Sequence, residues 1–415
     1  MSDILVVGGG AAGMMAAIAA AEAGCGVTLL ERNEKLGRKI YITGKGRCNC
    51  TNDCSLDDFL REVPRNPRFL YSALTAFTPQ DMMAFLESAH CPVVVQRGHR
   101  VFPATEKASD VTRALERRLR ETGVEVRLNS RVRGLVIKDG RAAGVALADG
   151  GELQADAVIV ATGGLSYPGT GSTGDGYALA RSANHTLIPT RPSLSALETA
   201  ETWPAQLQGL SLKNVRLTLK QGKKTLYDQL GEMLFTHFGI SGPLVLEMSC
   251  HLPDSLEQLD LRLDLKPGLT AEQLDARLLR DLQENQRRQL HTVLPGLLPA
   301  SLARIFPELA GVEGDKICGQ LTRAERERIL QTLKSLPLTI RRMRPIDEAI
   351  VTRGGVSVKE IDPRTMASKL LPGLYFAGEV MDVDAHTGGF NLHIAFSTGR
   401  LAGQSAARAI LAETV

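Results

Sequence analysis

The chain has 415 residues, 43% of them hydrophobic and only 4% aromatic, with 40 glycines and a formal net charge of +3. That balance excludes a disordered or disulfide-stapled chain and leaves room for two or three α/β domains with many tight turns. The small charge makes no electrostatic case for a nucleic-acid partner, which would need a concentrated basic face; Arg341, Arg342 and Arg344 form the densest short basic cluster and read as solvated surface. No apolar run reaches the ~18 residues of a membrane span. A strand already begins at Ile4, which leaves no room for a signal peptide, and the seven cysteines are unevenly spread, as where thiols stay reduced. The expectation is a cytoplasmic protein with no nucleic-acid or membrane partner.

In chain order, Ile4-Leu-Val-Val-Gly-Gly-Gly-Ala-Ala-Gly13 comes first, an apolar strand passing through a glycine turn into an Ala-rich helix. Gly8, Gly10 and Gly13 match the dinucleotide fingerprint: one for the tight turn, one for pyrophosphate approach and one for helix-on-strand packing. A second strand, Val27-Thr-Leu-Leu, ends in Glu31, about 20 residues beyond the glycines, where an acid takes ribose hydroxyls. Next, Gly37 to Asn52 carries four cations (Arg38, Lys39, Lys45 and Arg47) and three glycines, and looks built for an anion. Apolar spacing predicts helices over 70–89 and 108–122, then a strand at Val124 to Leu128. Alternation over 132–148 with Asp139-Gly140 at its turn predicts a hairpin within a β-meander, ahead of the strand Ala157-Val-Ile-Val-Ala161.

Gly169, Gly171 and Gly174 repeat the glycine fingerprint, but no strand directly precedes them, so they read as a loop over the first cofactor site. From about Pro189 to Pro345 the character shifts to short alternating stretches and two amphipathic helices, 270–285 and 322–335, the latter opened by the capping box Thr322-x-x-Glu325. This is an inserted domain (189–345), because dinucleotide-fold features resume in 346–415 and complete the first part, 1–188. A short apolar strand is expected at Ala349 to Val351. Another, Leu374-Tyr-Phe-Ala-Gly-Glu379, ends at a glycine and an acid, and a last helix spans Gly388 to Ala407. Such discontinuity favours FAD over a contiguous NAD site. Glu379 is placed for the ribityl or pyrophosphate region, and the helix start at Gly388-Gly-Phe-Asn-Leu392 for the isoalloxazine, where a positive helix end would stabilise the reduced ring.

Five segments carry a family resemblance: Gly8 to Gly13, Thr43-Gly-Lys-Gly-Arg-Cys-Asn49, Ser166 to Gly176, Phe235-Thr-His-Phe-Gly-Ile-Ser-Gly-Pro243, and Gly378-Glu-Val-Met-Asp382 with Gly388 to Asn391. Over nearly its whole length the chain resembles the BaiN-like (YhiN-type) NAD(P)/FAD-dependent oxidoreductases. The resemblance implies a glutathione-reductase-like, discontinuous FAD/NAD(P)-binding Rossmann-type α/β fold with an inserted β plus helical domain. It implies noncovalent FAD, NAD(P)H as a possible electron donor, and a small-molecule substrate. The implied FAD contacts begin with Gly8, Gly10, Ala12 and Gly13, followed by Glu31 and Arg32. They continue through Arg38, Lys39, Thr43, Gly44, Gly46, Arg47, Cys48 and Asn49. Later segments add Val132, then Ala161, Thr162 and Gly163, then Gly378, Glu379 and Asp382, and finally Gly388, Gly389, Phe390, Asn391 and Leu392.

Cys48, Cys50 and Cys54 lie roughly where disulfide oxidoreductases carry a redox pair, but the C-x-C spacing is too short for an ordinary unstrained disulfide. With no histidine near them, a metal site is not expected either. His237, His386 and His393 fall in segments expected to face the cofactor. His237, in a glycine-flanked loop of the insertion, ranks first as a proton donor, with a structural hydrogen-bonding role at least equally compatible. The reading is a flavoprotein transferring hydride between FAD and NAD(P)H or an organic substrate. Its rivals are a flavin-dependent RNA-modifying protein and a non-catalytic flavin-bound interaction protein.

Overall fold

A computed structural model describes residues 3–413. The chain divides into two compact units: residues up to Ser193 together with those from Pro345 onward, and Leu194–Arg344. The first unit is built on a five-stranded parallel sheet of β1 (Ile4–Val7), β2 (Val27–Leu30), β3 (Glu125–Arg127), β4 (Ala157–Val160) and β5 (Leu374–Phe376), in the order β5-β4-β1-β2-β3. All four residues of β1, β2 and β4 are buried, as near-continuous apolar runs must be when helices cover both faces. The order reverses between β1 and β4, so a crevice opens there at the carboxyl ends of the strands.

Helix α1 (Ala11–Glu22) follows β1 and is buried from Ala11 through Ala20. A helix apolar all round needs cover on both sides, and the last helix, α2 (Phe390–Glu413), supplies one of them. Two glycines make that approach possible. A Cβ on Gly399 would lie 2.2 Å from the carbonyl oxygen of Ala12, and one on Gly403 equally close to that of Ala16. No side chain fits between the helices at these points.

The meander forms as its pattern predicts: strands Val132–Lys138, Arg141–Leu147 and Glu152–Gln154 pair antiparallel, with Asp139 and Gly140 both at positive φ in the turn. Three expectations need correction. The helix expected over 70–89 is two helices, Tyr71–Ala76 and Pro79–Ser88, because Thr78 caps the second with Asp81 and Pro79 cannot continue the first. The strand expected at Ala349 begins at Val351 and runs to Val356, paired antiparallel with Leu187–Ser193. Glu379 stands in a 3-10 turn, Gly378–Val380, beyond the end of β5.

The second unit has its own hydrophobic core. Its β part is larger than the short alternating stretches suggest: a seven-stranded antiparallel sheet around the long hairpin of Ser211–Gln221 and Lys224–Thr236. The helices Ala271–Glu284 and Arg323–Lys334 form where the apolar spacing places them, and Thr270 and Thr322 each close a capping box.

Candidate functional site

At the glycine turn, each residue shows a different constraint. Gly8 has φ 107°, and a Cβ there would lie 2.6 Å from the Ala161 carbonyl oxygen. At Gly13 a Cβ would lie 1.8 Å from the Gly8 carbonyl oxygen, so helix and turn touch backbone to backbone. Gly10 is the exception: its backbone is extended, and a Cβ there would meet nothing within 4 Å. The fold therefore explains two of these glycines and leaves the third to whatever approaches the turn from outside. An open cradle at the N-terminus of a twelve-residue helix fits a pyrophosphate.

Glu31, nearly buried, is held against this turn. Its Oε2 accepts from the Gly9 amide at 2.7 Å, and Oε1 accepts from the amide and the side chain of Asn33 at 2.8 and 2.7 Å. Asn33 also donates to Thr170 O, and Arg32 bonds Thr173 and Asp175. The 168–174 loop thus leans on the residues that flank Glu31. Val132 is buried at the start of the meander, and Arg131 beside it pairs with Asp175 at 2.9 Å.

A second cluster joins segments far apart in sequence. Lys39 Nζ donates to Glu379 Oε2 at 2.8 Å and to Ser166 Oγ at 2.6 Å. Glu379 Oε1 accepts from the Thr352 amide at 2.7 Å and from Ser166 Oγ at 3.0 Å. The Thr352 hydroxyl accepts from the Leu165 and Ser166 amides in turn. Gly163 lies beside this cluster, since a Cβ there would be 3.9 Å from Glu379 Oε2. The amide of Gly378 donates to Thr398 on α2. Sequence reasoning reached Lys39, Gly163, Gly378 and Glu379 but missed Ser166, Thr352 and Thr398, whose isolated hydroxyls carry no local signal.

Arg38 and Arg47 of the 37–52 loop go elsewhere. Arg38 bonds Asn33 Oδ1 and Glu34. Arg47 stacks over the Phe102 ring at 4.4 Å and pairs with Glu106 at 3.2 Å. Gly44 and Gly46 both take positive φ, which lets the loop fold back on itself through Cys48 N to Thr43 O.

Gly388 and Gly389, with φ of 129° and 101°, form the turn into α2. Asn391 uses its side chain within the loop, accepting from the Ala385 amide and donating to Ala385 O and His386 O. Asn66 donates to the carbonyl and carboxylate of Asp382. His386 pairs with Glu62 at 2.9 Å. His393 is fully buried between Phe59 and Phe77, donating from Nε2 to Phe77 O at 3.1 Å, and burial pushes its pKa down to about 4. His237 lies in the second unit, exposed in the turn between Lys224–Thr236 and Gly239–Ser241, edge-on to Phe238.

Comparison with known proteins decides the family. The HI0933-like protein Rossmann domain matches residues 2–405. The chain belongs to that family. It is 34% identical to the 3-dehydro-bile acid delta(4,6)-reductase of Clostridium scindens over 98% of this chain and 99% of that protein. It is also 32% identical to the ribosomal RNA dihydrouridine synthase of Haemophilus influenzae, over 96% of each chain. Among solved structures, a quinol-fumarate reductase with menaquinol molecules superposes with a TM-score of 0.53 at 17% identity, over 98% of this chain and 71% of that one. The fold is thus the FAD-binding Rossmann type, and the protein is a flavin-dependent oxidoreductase.

None of the seven cysteines forms a disulfide. Cys48 and Cys50 are completely buried; burial pushes the Cys48 thiol up to about 12 and that of Cys50 well above its ordinary value. Both behave as small core residues. Among the described residues no group of three or more His, Cys, Asp or Glu is arranged to hold a metal, and no helix is long and apolar enough to cross a membrane.

Proposed function

We propose that the protein uses FAD to reduce a carbon–carbon double bond conjugated to a carbonyl in a small organic molecule, with NAD(P)H as the electron source. The supporting observation is what two relatives' names have in common. A delta(4,6)-reductase of a 3-dehydro bile acid acts on unsaturation next to a ketone, and a dihydrouridine synthase saturates the uracil bond conjugated to its carbonyl. Bound FAD would supply the two-electron hydride chemistry that both require.

The chain's own residues would hold and orient it. In this reading the open turn at Gly10 takes the pyrophosphate, and Glu31 takes a ribose hydroxyl in place of one of its present donors. The Lys39–Glu379 cluster would line the central part of the cofactor, and the Gly388–Gly389 turn would face the ring. Amides at the start of α2 then favour the charged, reduced ring. We place the reaction in a reducing cytoplasm, which suits seven cysteines outside any disulfide.

The second reading, reduction of a uridine in RNA, is favoured by two synthase relatives at 32% and 30% identity. A net charge of +3 favours the small molecule. Protein reconstituted with FAD, reduced anaerobically by NADH or NADPH, is mixed with a steroidal enone, a simple cyclic enone, or rRNA lacking dihydrouridine. Reoxidation by an enone with a saturated product supports the first reading; reoxidation only by RNA selects the second. A reduced flavin inert to all three, or one reoxidised only by quinones, overturns both.

A further inference from the structure

Asn52, only 5% exposed, joins two loops that the sequence keeps far apart. Its side-chain amide Nδ2 donates to the carbonyl oxygen of Gly388 at 3.0 Å and to that of Gly98 at 3.1 Å. The preceding residue presses on the same turn, because a Cβ on Gly389 would lie 2.3 Å from the Thr51 carbonyl oxygen. Thr51 and Asn52 are themselves anchored, pairing antiparallel with Val101 and Arg100 of the strand Arg100–Pro103. Gly388 and Gly389 have no side chains with which to fix their own unusual conformation. Asn391, in the first turn of α2, ties Ala385 and His386 of the loop before the turn. The glycine turn itself is shaped from outside by Thr51 and Asn52.

The first amides of a helix have no intrahelical acceptor, and their direction follows from the turn that precedes them. We infer that Asn52 is a positioning residue whose amide fixes the Gly388–Gly389 turn, so that the first N–H groups of α2 are aimed at the flavin ring and bias bound FAD toward its reduced form. This rests on the FAD placement proposed above. Charge on the ring grows upon reduction, so misaimed amides weaken the reduced complex more than the oxidised one. Removing the amide also leaves the Gly388 and Gly98 carbonyls without that donor, and the turn loosens from its template.

The test titrates wild type, Asn52→Ala and the isosteric Asn52→Asp with FAD, in the oxidised state and anaerobically in the dithionite-reduced state, with the midpoint potential measured independently. Asn52→Ala is expected to weaken oxidised FAD about fivefold, the scale of one net hydrogen bond, and reduced FAD about fivefold further. That extra factor corresponds to a midpoint potential lower by about 20 mV for a two-electron couple. Asn52→Asp, which sets a carboxylate against two carbonyls, shifts the ratio of the two affinities in the same direction and further. If the alanine variant does not fold, the aspartate variant carries the test. Equal weakening of both states, or no weakening in either, overturns the role of Asn52 while the FAD placement stands. Wild-type protein that takes up no FAD overturns the placement itself, and this inference with it.

Discussion

The Nζ of Lys39 lies 2.8 Å from Oε2 of Glu379, although 340 residues separate them. Their contact ties the first cation-rich loop to the turn after β5, in the part of the first unit that follows Pro345. Ser166 and Thr352 complete the cluster, so neither charge is left half-satisfied.

Lys39→Met should leave Glu379 partly buried without its cation. The expected cost is about 1–3 kcal/mol in urea denaturation, with roughly tenfold weaker FAD binding. Arg47→Ala removes an exposed pair and a ring contact, so its stability cost should stay within about 1 kcal/mol. A direct anion contact by Arg47 would show separately, as a loss of FAD or substrate affinity of about tenfold. Unchanged titrations of both ligands would assign Arg47 to the surface.

The three glycines of the first turn should separate under substitution. A Cβ at Gly10 meets nothing within 4 Å, so Gly10→Val should cost no more than about 1 kcal/mol of stability, the scale of a poorer N-cap, while FAD binding is lost. Gly13→Ala puts a Cβ on the Gly8 carbonyl oxygen and should impair folding itself. A Gly10→Val protein that retains full FAD content would show that nothing approaches the turn there.

Gly399→Val and Gly403→Val test the α1–α2 crossing. Each would force apart two backbones in contact, with an expected loss of about 3 kcal/mol, the upper range for overpacking. Chemical denaturation measures it. A loss below about 0.5 kcal/mol would mean that the helices separate freely at these points.

His393 makes stability pH-dependent in a definite direction. Its pKa is about 4 in the fold against 6.5 for an ordinary histidine, so between these values the unfolded chain binds more protons. Its contribution is fully present above about pH 6.5 and is lost as pH falls toward 4, up to about 3 kcal/mol in total. His393→Phe should flatten the pH dependence of the denaturation midpoint over that window. An unchanged slope would mean that other groups carry it.

Much of the first half of the site was legible because its signals are local. A glycine turn, a buried strand and an acid at the end of the next strand lie within about 30 residues and obey backbone rules that need no distant partner. The hairpin at Asp139-Gly140 and the capping boxes at Thr270 and Thr322 were readable for the same reason. The cations of the 37–52 loop were visible as a cluster, but their roles were not. Lys39 joins a partly buried network with Glu379, 340 residues away, while Arg47 lies on Phe102 and pairs with Glu106 near the surface, and loop composition alone does not say which cation meets which carboxylate.

By itself the sequence determined the class of fold and the position of the glycine turn between β1 and α1. Periodicity and glycine placement act over one or two turns of chain and survive without tertiary context. Only the tertiary structure decided that Gly399 and Gly403 are contact points for α1, that Ser166 and Thr352 complete the Glu379 cluster, and that Asn52 holds the turn at Gly388. Each of these depends on a hydrogen bond or a van der Waals contact between residues remote in sequence, and such contacts become specific only when the sheet has brought the backbones together.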